Sequence, residues 1–312
     1  MASRNETTNQ WLIFTIADQK YAIHVDCVRE LTPSRDHEIR KMPQTPDYVV
    51  GALSLRGNVI AVHDLRTLIG LPSLDAETKE IIELLEAREQ DHVNWINELQ
   101  KSVDENREFS LARDPHKCAF GRWYDDLTSD EGRLQKLTNS NFTLYRLLGQ
   151  LDTPHKTIHS IADKVTRFMH ENDTESAHRI IDVTSREELD TMISLLGQIR
   201  SLLHSLRKPL IIVLEQDERQ LGVQVDSVDS VVRIQPEQIQ PLPERLGSST
   251  LFSGVAQLKN ETGLLIMVEG AGLFDAHASN LGLNGADVAD ARNSNGESAA
   301  TRSDAPQLVV AG

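Results

Sequence analysis

Cysteine is scarce in this 312-residue chain: Cys27 and Cys118 are the only two, and they fall in segments of very different texture. That argues against a disulfide framework and leaves reduced thiols for core packing or for a metal. Positive charge is short as well. Lys and Arg number 32 against 47 Asp and Glu, a formal charge of -15, so the chain lacks the clustered basic residues that nucleic acid or anionic lipid would need. No apolar run approaches the ~18 residues that span a bilayer. Met1 to Asn9 is polar, without the apolar stretch or small-residue cleavage site of a signal peptide. The expectation is a cytoplasmic protein whose partners are proteins or small ions, with no direct membrane insertion. In the segments on either side of the middle third of the chain, nucleophile elbows, Gly-rich phosphate loops and acidic pairs at recognisable spacing are missing too, so nothing there suggests catalysis.

What the chain does have is three segments of different periodicity. From Gln10 to about Pro72, short apolar runs such as Trp11-Leu12-Ile13-Phe14, Tyr21-Ala22-Ile23 and Val59-Ile60-Ala61-Val62 are separated by turn formers, the pattern of short strands. The same texture resumes after Pro209, from Leu210-Ile211-Ile212-Val213-Leu214 to Leu264-Leu265-Ile266-Met267-Val268. Between them the spacing is helical. Ile81, Leu85, Arg88, His92, Trp95, Leu99 and Val103 recur at steps of three and four, as do Ile158, Ala162, Val165 and Met169. Pro209 should end the last helix near Arg207. Each β segment alone would leave sheet edges exposed and a core incomplete, so one β domain interrupted by a helical insertion is favoured over three domains in a row. The expected divisions are a polar leader at 1–9, a β domain in two halves at 10–73 and 208–276, a helical insertion at 74–207 and a disordered tail at 277–312.

Seven of the eleven histidines and one of the two cysteines lie in the insertion. His92 sits on the apolar face of its helix. His155 and His159 are one helical turn apart just after Pro154, so both project from one face. Cys118 precedes Ala119-Phe120-Gly121-Arg122-Trp123-Tyr124, whose aromatics would pack a helix start into the core. Singly, each has a plain structural explanation: a core histidine bonded to a carbonyl, a solvated pair, a small apolar thiol. Together, three imidazoles and a thiolate on facing helices form a closed tetrahedral set suited to zinc. His116 is a rival ligand, with His170, His178 and His204 expected at the surface or in structural roles.

Two resemblances follow from these motifs. Leu53-Ser54-Leu55-Arg56-Gly57-Asn58 through Asp64-Leu65-Arg66 resembles the central signature of CheW domains, with Ala61 where a proline is usual and His63 where an apolar residue is usual; Gly222-Val223-Gln224-Val225-Asp226, Pro241-Leu242-Pro243 and Phe252-Ser253-Gly254-Val255 resemble the second half of that domain. The resemblance implies a double five-stranded β-barrel that couples chemoreceptors, the methyl-accepting chemotaxis proteins, to the histidine kinase CheA at receptor arrays. It also implies receptor contacts at Val28, Glu30, Arg56 and Ile211, although Val28 and Ile211 equally suit ordinary barrel positions and a lone Leu-Arg-Gly is commonly only a turn. The patterns HxxWxxxL at His92 to Leu99, CxFGxWY at Cys118 to Tyr124 and PHxxxH at Pro154 to His159 resemble the chemoreceptor zinc-binding domain, CZB for short. This second resemblance implies a four-helix-bundle-like insertion, zinc held by His92, Cys118, His155 and His159, possible pairing of two chains through the bundle, and redox sensing at Cys118, as in members that respond to hypochlorous acid. The whole chain is therefore expected to be an α+β multidomain adaptor with a zinc or oxidant input. The competing readings are a coupler in which zinc only staples the bundle, and a zinc-dependent enzyme, which would need an open metal position and a nearby acidic base that no HExxH-like pattern supplies.

Overall fold

The computed structural model of the protein describes residues 9–138, 140–242, 250–257 and 263–280. They divide into two compact units: one formed by the residues up to Ile69 and from Leu210 onward, the other by Gly70–Pro209.

The first unit is built on eleven described strands: β1 (Gln10–Ile16), β2 (Gln19–His24), β3 (Val28–Pro33), β4 (Val49–Leu55), β5 (Asn58–Asp64), β6 (Leu210–Gln216), β7 (Arg219–Val225), β8 (Ser227–Arg233), β9 (Ile239–Gln240), β10 (Phe252–Gln257) and β11 (Leu264–Val268). They form a six-stranded sheet in the order β8-β1-β2-β11-β10-β9 and a five-stranded sheet in the order β3-β6-β7-β5-β4. Neither closes into a barrel among the described residues, which corrects the expectation of two closed five-stranded barrels. Both sheets mix strands from before and after the helical segment. β11 pairs parallel with β2 and β7 parallel with β5, so neither half completes a sheet without the other. That interleaving makes Gly70–Pro209 an insertion.

The Asp64-Leu65-Arg66 triplet explains itself in this unit. The Asp64 carboxylate accepts from the backbone N–H groups of Arg66 and Thr67, capping the short helix α1 (Leu65–Leu68). Leu65 is buried in the core with Phe14, Leu214 and Val223. Arg66, 3% exposed, donates through two nitrogens to Asp226 at 2.7 and 2.8 Å, and Asp226 also accepts the Ala17 N–H. This bidentate pair ties the two sequence halves together. The hairpin between β4 and β5 turns at Arg56 and Gly57, with φ of 51° and 88°, the left-handed pair of a tight two-residue turn.

The second unit holds α2 (Leu74–Asp104), α3 (Ala119–Ser129), α4 (Glu131–Thr138), α5 (Phe142–Gln150), α6 (Asp152–His170), α7 (Thr174–Thr184) and α8 (Asp190–Leu206). α2 starts where Ser73 caps the Ala76 N–H, with Asp75 and Glu77 in its first turn. Its apolar stripe, including Leu85, Trp95, Leu99 and Val103, packs into one core with Phe120, Leu144, Ile158 and Leu196. There are more helices than a four-helix bundle has. The Asp- and Asn-rich stretch after Tyr124 forms α4 and α5, because Leu134, Leu137, Leu144, Leu147 and Leu148 give it a buried stripe. A single π turn, Ser185–Leu189, carries α7 into α8.

A last helix, α9 (Gly270–Asn280), follows β11. It takes in positions 277–280, so the expected tail begins with the end of a helix. The remainder of that tail and positions 1–8 of the expected leader lie outside the described residues. No described helix is long and apolar enough to cross a membrane.

Candidate metal centre

α2, the turn before α3, and α6 bring four side chains to one point inside the helical unit. His92, Cys118, His155 and His159 each offer a ligand atom, and these atoms all lie within 4.8 Å of one another. The Cys118 Sγ is 3.2 Å from His155 Nε2 and 4.0 Å from His92 Nε2. A zinc tetrahedron with Zn–S of ~2.3 Å and Zn–N of ~2.05 Å has edges of roughly 3.3–3.6 Å, so small side-chain movements suffice. The three imidazoles are 2–3% exposed, and Phe120 stacks edge-on against His92 and His155.

Hydrogen bonds fix which nitrogen faces the centre. His92 Nδ1 lies 2.8 Å from the Arg88 carbonyl and His159 Nδ1 lies 3.2 Å from the Ala112 carbonyl. A carbonyl only accepts, so both rings carry their proton on Nδ1 and present the Nε2 lone pair. His159 Nε2 is buried with no hydrogen-bond partner. Such an orphan costs free energy unless a further group meets it, and carbonyl-anchored imidazoles are the usual outer support of metal ligands.

Burial keeps all three imidazoles neutral in the metal-free chain: His155 is pushed down to about 3 by burial first and then by the neighbouring histidines, His159 to about 4 by burial first and then by His92, and His92 is lowered for the same primary reason. Burial raises the Cys118 thiol, opposed by the Gly121 and Phe120 N–H groups. Sγ accepts the Gly121 N–H at 3.1 Å, which makes Cys118 the cap of α3. A divalent cation entering this site would displace the thiol proton. The residues present fit zinc in number, donor type and lone-pair direction.

The rival histidines stay outside. His116 is exposed and lies 2.8 Å from an Asp125 oxygen, His178 bonds to Gln100, and His170 and His204 are exposed. In the β unit, Arg56 donates to the Glu30 carboxylate at 2.6 Å from the hairpin tip, itself 73% exposed. Val28 is half-buried on β3. Ile211 is fully buried among Leu53, Ile60, Val62 and Val213.

The family model for the CheW-like domain matches residues 10–103 and 194–277, more than half of the chain. The chain belongs to the CheW-like family. A second model, the chemoreceptor zinc-binding domain, matches residues 92–166, a span that opens on His92 and contains the whole cluster, so this CheW-like chain carries an inserted CZB domain. Among curated relatives, a probable chemotaxis protein CheW of Rhizobium etli is 29% identical over 89 residues, 28% of this chain and 54% of the relative. The chemotaxis protein CheW of Helicobacter pylori is 37% identical over 67 residues, 22% of this chain and 39% of the relative. The chain thus spans about half or less of the curated relatives it matches. The crystal structure of the scaffolding protein TtCheW from Thermoanaerobacter tengcongensis aligns with 84% of this chain and 89% of its own, at 14% identity and a TM-score of 0.37.

Proposed function

We propose that this protein is a non-enzymatic adaptor at cytoplasmic chemoreceptor arrays, coupling methyl-accepting receptors to the histidine kinase CheA, and that a zinc ion held by His92, Cys118, His155 and His159 gives it a metal or oxidant input. The observation that carries the reading is the closed cluster of three buried imidazoles and one thiol inside a chain of the CheW-like family. Four protein ligands leave no open position for water or substrate, so the centre holds or senses and does not turn over. Val28 and the Arg56–Glu30 pair would serve the receptor, the arginine as a charged anchor.

When bound, zinc would link the three helical segments that carry the ligands and hold Cys118 as thiolate. An oxidant such as hypochlorous acid attacks that sulfur: the S–O bond forms as the O–Cl bond breaks, the thiolate becomes a sulfenic acid, and chloride leaves. The oxidised sulfur is a poorer donor. The cap residue that precedes α3 would then be released from the centre, and the change would propagate within the helical unit. Cys118 is the most exposed of the four ligands, which favours this reading over one in which zinc is only a staple.

The test is kinase activity in reconstituted receptor–CheA complexes containing this chain, measured before and after chelator and before and after one equivalent of hypochlorous acid. The sensing reading expects a change of at least severalfold that Cys118→Ser abolishes. Coupling that ignores both treatments supports the staple and rejects the sensor.

A further inference from the structure

The Trp95 indole lies beside the metal cluster without being a ligand, and its one polar atom is committed. Trp95 Nε1 donates to the Ala112 carbonyl at 2.9 Å, the same oxygen that accepts from His159 Nδ1. The indole also meets the His159 ring at 4.9 Å between centroids and takes the Phe109 ring edge-on at 4.9 Å. Trp95 and Phe109 are 5% and 6% exposed. Phe109 and Ala112 belong to the α2–α3 connection, residues 105–118, which ends at Cys118.

From this arrangement we infer that Trp95 is a positioning residue of the centre, acting on two ligands through one carbonyl; the inference rests on the zinc reading given above. The Ala112 oxygen has two lone pairs and both are taken. One acceptor site is filled by a rigid, buried indole on α2, so the carbonyl is held in place when His159 binds to the other. His159 therefore keeps its proton on Nδ1 and its Nε2 lone pair on the cluster. The same bond, with the Phe109 contact, fastens the connection that delivers Cys118. Without the indole N–H, the carbonyl is free to turn toward solvent, since Ala112 is exposed; His159 then loses its orienting partner and Cys118 its tether.

The experiment replaces Trp95 in the full chain in two ways: Trp95→Phe, and substitution by 3-benzothienylalanine, which preserves ring size and removes only the donor. Trp123→Phe, on the half-buried face of α3, is the control. Zinc affinity is measured by chelator competition, and the His159 tautomer by nitrogen-15 NMR of the metal-free protein. Both Trp95 replacements should weaken zinc by about tenfold or more, the usual effect of removing outer support from a metal ligand, and should turn a single Nδ1-protonated His159 into a tautomer mixture, while Trp123→Phe changes neither. Affinity within twofold of the parent, or a loss of affinity with the His159 tautomer intact, overturns the role. If the parent chain binds no zinc, the zinc reading fails by itself, and the tautomer measurement still decides whether Trp95 orients His159.

Discussion

Burial sets the chemistry of the three histidines before any metal arrives. Folded His155 and His159 titrate at about 3 and about 4, below the ordinary histidine value of 6.5, so as pH falls the unfolded chain takes up protons first. The stability associated with neutral burial is fully present above about pH 6.5 and is lost as pH drops toward 4 and then 3. For metal-free protein, chemical denaturation of the helical unit should become easier over that window, by about 1.4 kcal/mol per pH unit for each histidine that changes protonation. A midpoint that stays flat from pH 6.5 to 4 would contradict the burial argument. At this scale the sequence exposes side chains and hides backbone. His92, Cys118, His155 and His159 are legible because imidazoles and thiols are rare and their helical spacing is regular. The Arg88 and Ala112 carbonyls that orient two of them have no side-chain signature at all. An isoleucine such as Ile211 looks the same in a string whichever way its strand turns it, and the register opposite Gln224 on β7 places it inside.

Among the elements, the start of α3 depends on a close approach. A Cβ on Gly121 would come within 1.9 Å of the Pro115 carbonyl oxygen, a backbone atom that cannot swing aside. Gly121 also supplies the N–H that meets Cys118 Sγ. Gly121→Ala should push α3 off the turn at Pro115–Lys117, weakening zinc retention and lowering stability by about 1–3 kcal/mol, checked by chelator competition and thermal melting; parental values in both would mean that the approach has slack. The glycine stands in the CxFGxWY motif, yet the reason for it appears only when the turn folds back on the helix. The Asp64-Leu65-Arg66 triplet is similar: its cap and its buried leucine are local and legible, but the partner of Arg66 is Asp226, on the far side of the insertion. α4 and α5 were obscured by their Asp- and Asn-rich surroundings, since a few leucines on a short helix give a weak periodic signal. Closure is also illegible, because strand spacing carries no information on whether a sheet's outer strands meet.

The molecule as a whole follows from one constraint. Two β segments that each leave a sheet unfinished must share sheets, and they do, with parallel pairs β2–β11 and β5–β7 linking sequence positions on either side of the insertion. This much could be argued from the texture of the chain. The strand order could not, because parallel neighbours so distant in sequence leave no local trace. The helical unit is complete in itself: its core and all four cluster residues lie within Gly70–Pro209. A metal input would therefore be confined to one unit of this CheW-like chain, and zinc K-edge X-ray absorption on the full chain, purified without added metal, decides whether the cluster holds the ion. The expected spectrum is that of one zinc per chain with one sulfur at about 2.3 Å and three nitrogens at about 2.0–2.1 Å. Substoichiometric zinc, or a shell without sulfur, would contradict it.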